Sequence, residues 1–111
     1  MNGGIGYARE KISLAIYILA TAPGGIKKRL LSAFNECIAV QDDDFPEDLR
    51  GDWSWINNQM TKFGPVKDAQ GTVLIGQCEN TMRRIRNSTA VKIAEKLFAL
   101  EDELRDREET T

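Results

Sequence analysis

The sequence contains no histidine, and that absence excludes more chemistry than any other single feature. Imidazole is the commonest general base near neutral pH, the commonest metal ligand and the middle member of Ser-His and Cys-His catalytic pairs. None of those devices is open to this chain. Cysteine is nearly as scarce. Cys37 and Cys78 are the two in 111 residues; they form no C-x-x-C pair, and secreted disulfide scaffolds of this size carry more. They read as small apolar side chains on helix faces, where a thiolate nucleophile is disfavoured. A Cys37–Cys78 disulfide would need helices to bring the two together, and nothing in the sequence requires that.

Long apolar runs are missing as well. The longest, Ile12 to Leu19, falls short of the ~20 residues a transmembrane helix needs. With Arg9 and Lys11 before it and Ala20-Thr21-Ala22 after it, this segment imitates a signal peptide. Glu10 in the would-be positive region and the polar stripe of Ser13 and Tyr17 point instead to a core helix. The expectation is a cytoplasmic protein with no membrane contact. Phosphate-binding glycine loops are absent too: Gly3-Gly4-Ile5-Gly6 is shorter than a dinucleotide fingerprint and follows no strand. No cofactor and no metal site is expected, and the chain reads as a protein that is not an enzyme.

What is present is ordinary globular material, 41% hydrophobic and 29% charged, on a chain long enough for one core. A single helical domain over 1–107 is expected, with 108–111 a frayed tail. Apolar spacing predicts an all-α, compact bundle of four to five helices at about 5–21, 24–40, 46–63, 72–85 and 88–107. Pro23-Gly24-Gly25 breaks the first from the second, which fold as a hairpin. Phe45, Leu49, Trp53, Ile56, Met60 and Phe63 recur every three or four residues, the clearest amphipathic stripe in the chain. Within Gln41-Asp42-Asp43-Asp44-Phe45-Pro46-Glu47-Asp48, an aspartate cap, Pro46 in the first turn and the acids there read as the start of that third helix. Val73-Leu74-Ile75 has strand propensity, but no partner strand is evident, so a helix from 72 is preferred even though Gly76 weakens it by about 1 kcal/mol. A sheet paired through Val73–Ile75, or a pocket with converging acids, would undercut this reading.

The candidate binding features are charge blocks and misplaced aromatics. Residues 42–52 carry six acids and one base, residues 82–96 five bases and one acid, and residues 101–109 six acids and two bases. Such segregation suits the steering of a charged partner, unless the blocks neutralise one another within the fold. Asp42, Asp43 and Asp44 represent the first block. Their spacing does not match the twelve-residue calcium loop, and they read as acids complementing a helix start. Trp55 lies about 120° from the centre of its helix's apolar stripe, and Tyr17 stands alone on the polar stripe of the first helix. Exposed aromatics of this kind anchor protein interfaces.

Together these features predict a small helical protein–protein interaction module, of the kind represented by inhibitors, immunity or antitoxin-like factors and assembly subunits. The partner is another protein or, as a homodimer, the chain itself. The alternative is a nucleic-acid-binding module using Arg83, Arg84 and Arg86 at a tight helix junction. A net charge of −2 and an acidic end to the last helix argue against that alternative.

Overall fold

The computed structural model describes residues 4–109, and among them five α-helices dominate. Helix α1 (Gly4–Thr21) is the central one. Its buried stripe of Ala8, Ile12, Ala15 and Leu19 repeats at the three-to-four spacing that keeps one helix face inward. It packs on α2 (Ile26–Glu36), on α5 (Asn87–Glu109) and on a 3-10 turn at Asp42–Asp44. Burial on several sides explains the breadth of its apolar arc.

The link between α1 and α2 is tight. Gly24 sits at φ +100°, a conformation L side chains rarely adopt, and a Cβ there would meet Lys28 Cδ at 2.8 Å. Arg29 then closes the corner, donating to the carbonyls of Leu19 at 2.6 Å and Gly24 at 3.0 Å. A cation placed on the exposed carbonyls of a helix C-terminus is favoured by the helix dipole. Helix α2 stops at Glu36, earlier than the apolar pattern extends, and residues 37–39 form a turn.

The expected third helix is divided. Phe45 is extended (φ −102°, ψ 152°), as a residue before proline prefers. A 3-10 turn at Glu47–Leu49 leads into α3, Arg50–Met60. Most of the predicted stripe faces inward: Phe45, Leu49, Trp53, Ile56 and Met60 are buried, whereas Phe63 lies past the end of α3 and is half-buried. Trp53 is sandwiched by Phe34 and Phe45, with ring centroids 6.0 and 5.2 Å away.

The all-α class holds, but between α3 and α4 the expected fourth helix, 72–85, needs correction at its start. Strand β1 (Val66–Lys67) pairs antiparallel with β2 (Val73–Ile75), in register Val66↔Ile75 and Lys67↔Val73. Leu74 is the extra, bulged residue. The turn is made by Asp68, whose carboxylate accepts from the amides of Gln70 and Thr72, each at 2.9 Å. Gly71, at φ +85°, donates to the Asp68 carbonyl at 3.0 Å. The partner strand that seemed missing is two residues long, too short to show any alternation. The sheet paired through Val73–Ile75 that was to undercut the helical reading is therefore present, as a mostly exposed two-stranded hairpin that contributes no residue to the buried core. Gly76 is accordingly the residue before α4 (Gln77–Arg84), not a flaw inside it. Buried Thr81 holds the hairpin's base to the bundle: its Oγ accepts from Phe63 N at 3.0 Å and reaches the carbonyls of Gln77 and Phe63 at 2.8 and 3.0 Å.

Helix α5 is the longest described helix and runs to Glu109, beyond the expected fraying point; residues 110 and 111 lie outside the described residues. The body measures 51 × 31 × 19 Å, thin enough for two helix layers. No described helix is long and apolar enough to cross a membrane.

Candidate functional site

Beside α1 the structure leaves an apolar groove that sequence periodicity did not define. Leu19 and Ala20 of α1, Ile26 and Arg29 of α2, and Val91, Ala94, Glu95 and Phe98 of α5 line a volume of about 270 Å³. Ser13 and Ala20 share the α1 flank that meets α5: the Ser13 hydroxyl donates to Glu101 at 3.3 Å, and Ala20 lines the groove. Tyr17 lies one turn from each, on that same flank. It is 64% exposed, and Phe98 is 59% exposed. Two large aromatic side chains therefore stand in solvent along one helix seam. Val91 and Phe98 were legible only as an edge of the last helix's apolar face. The surrounding helices leave that edge uncovered.

The other sequence candidates separate into different roles. Asp44 is 2% exposed, which corrects its placement on a partner-binding surface. Its carboxylate accepts from Gln41 N at 2.9 Å and Gly4 N at 3.0 Å, tying the 3-10 turn to the start of α1. An aspartate cap is what the sequence predicts, and Asp44 is one, but of elements other than α3. Asp42 accepts from the Ser54 hydroxyl at 3.3 Å, and Asp43 is exposed. These acids do not converge. Among the described residues no group of three or more His, Cys, Asp or Glu is placed to hold a metal ion.

Trp55 is 38% exposed, with the Lys96 ammonium 5.9 Å from its ring centroid. The same ammonium is 3.1 Å from Asp52. Arg107 grips Asp48 with two contacts of 2.6 Å, and its hydrogen bonds hold the Asp48 carboxyl below the usual aspartate range. Two of the six acids in the block, Asp48 and Asp52, are thus met by cations of α5, which reduces its value as a free steering field.

Arg83, Arg84 and Arg86 are all exposed. Arg83 is 3.5 Å from Glu79, and the Arg84 guanidinium lies 5.0 Å over the Phe63 ring. What joins them was not legible in local spacing. Lys27 Nζ donates to the Ile85 carbonyl at 2.9 Å, bringing the start of α2 against the α4–α5 junction. Lys27, Lys28 and Arg83 line a second groove there, of about 330 Å³, with Leu31, Glu79 and Met82.

Both cysteines are free and buried. Burial pushes the Cys37 thiol up to about 12 and moves Cys78 in the same direction. Neither is poised as a nucleophile.

Comparison with protein-family models, with curated proteins and with solved structures returns no match to this chain.

Proposed function

We propose that the chain acts by binding another protein, seating an apolar segment of it in the groove between α1, α2 and α5. The carrying observation is Phe98, 59% exposed in the lining of that groove, together with Tyr17, 64% exposed one turn before Ala20 of the same lining. A soluble domain gains nothing in folding from aromatics left in water, whereas their burial by a partner contributes roughly 2 kcal/mol each. The flanking charges, Arg29 and Glu95, suit the polar rim of such an interface. An inhibitor, an immunity or antitoxin-like factor and an assembly subunit all work in this way, by occupying a surface.

The test compares the wild-type chain with the Tyr17→Ala/Phe98→Ala double variant. Proteins captured from the native cell are identified by mass spectrometry, and self-association is followed by sedimentation over a range of concentrations. The reading expects a captured protein, or the chain's own self-association, to be lost in a variant whose thermal unfolding is unchanged. Identical capture and sedimentation for both chains overturns it.

A further inference from the structure

We propose that the end of the molecule where α2 begins and α4 meets α5 is a binding face for the phosphodiester backbone of a nucleic acid. A different observation from the apolar groove carries this, and the two stand or fall separately. Segments 58 residues apart in sequence are joined by the Lys27–Ile85 hydrogen bond. That contact gathers Lys27, Lys28 and Arg83 around one groove, with Glu79 the acid in its lining. Arg84 and Arg86 flank Ile85, whose carbonyl Lys27 binds, and both are exposed, Arg84 lying over the Phe63 ring. Three cations against one carboxylate in the groove, with two more arginines beside its anchoring contact, make a positive local field.

The acids that make the whole chain negative lie elsewhere. Asp48, Asp52, Glu101 and Asp102 pair with Arg107, Lys96 and Arg105 on α3, the turn before it and the later part of α5. Along α5 the first acid, Glu95, is about 14 Å from Arg86 at the helical rise per residue, and Glu101 about 22 Å. Both exceed the screening length of about 8–10 Å at physiological salt. The average charge therefore says little about what this end attracts.

A nucleic acid fits the face better than an acidic protein does. Exposed carboxylate–cation pairs contribute little by themselves, so an acidic protein partner also needs apolar anchors. The apolar groups between these cations, Met82 and Leu31, are recessed: Met82 is buried and Leu31 half-buried. A phosphodiester chain needs no such anchors, because neutralising its closely spaced charges releases condensed counterions. Arginine also offers the planar donor fork that matches phosphate.

The experiment is fluorescence anisotropy of a labelled DNA duplex and a labelled single-stranded RNA titrated with the full chain at several salt concentrations. With about four phosphates neutralised, affinity for at least one probe should fall about 100-fold between roughly 50 and 200 mM salt. Lys28→Ala/Arg86→Ala should weaken binding at least about 10-fold at low salt and flatten the salt slope by about 2. Tyr17→Ala/Phe98→Ala should leave it unchanged. No binding of either probe at the lowest salt overturns the proposal, as does binding that the Lys28→Ala/Arg86→Ala variant retains in full. Displacement of the probe by polyglutamate at matched charge concentration also overturns it, and reassigns the face to an acidic protein.

Discussion

Two aromatic groupings in this chain have opposite fates. Phe34, Trp53 and Phe45 stack inside the bundle, whereas Tyr17 and Phe98 stand along the α1–α5 seam in solvent. The side-chain chemistry is the same in both places. In the first, the free energy of covering the rings is already committed to folding. In the second it is still available for association. The difference teaches that an aromatic side chain identifies a binding surface only through what the fold leaves uncovered.

Substitutions should divide along that line. The largest effect belongs to the core: Trp53→Ala should cost about 3–5 kcal/mol in urea unfolding, through lost burial and the cavity left behind. Trp53→Phe should cost far less, because the buried indole Nε1 has no hydrogen-bond partner among the described residues to lose. A Trp53→Ala chain as stable as wild type would remove the distinction between the two groupings.

The base of the hairpin comes next. Thr81→Val keeps the shape but leaves Phe63 N without its acceptor, an expected loss of about 1–3 kcal/mol. Amide exchange at Gly71 should accelerate with it, since Thr81 fastens the hairpin to the bundle.

A smaller effect depends on pH. The Cys37 thiol ionises near 12 in the folded chain, against an ordinary value of 9.0. An unfolded chain therefore releases this proton first as pH rises. The contribution to stability is complete below about pH 9 and declines toward pH 12, by about 1.4 kcal/mol per pH unit. The gap in unfolding free energy between pH 8 and pH 10 should shrink by roughly that amount in Cys37→Ala. An equal gap in both chains would mean that the thiol titrates in solvent.

The smallest effect is expected at the seam. Tyr17→Ala and Phe98→Ala should each change stability by less than about 0.5 kcal/mol, although the same changes are the ones that should abolish association. A large loss of stability there would mean that the rings serve the fold.

Much of the helical architecture was legible because burial repeats with the helical period. The spacing of Phe45, Leu49, Trp53, Ile56 and Met60 leaves one inward face to be found, and the structure buries all five. The hairpin was not legible, because Val66–Lys67 is too short for any period and its evidence is the Asp68–Gly71 turn. An aspartate cap was legible among Asp42, Asp43 and Asp44, but not which of them it is: Asp44 takes the role, and its second partner, Gly4 N, is 40 residues away. Of the candidate surfaces, Tyr17 and the three arginines were visible as residues out of place. Phe98 was hidden in an apolar edge, and Lys27 and Lys28 gave no sign of belonging with them.

The sequence by itself determined the helical class, the inward stripes and the absence of imidazole chemistry, because each depends on residue type and on spacing within a turn or two. Only the tertiary structure decided which apolar edge stayed open, which acids were consumed by α5 and which lysines joined the arginines. Those outcomes depend on contacts between segments tens of residues apart, and local periodicity carries no information about such distances.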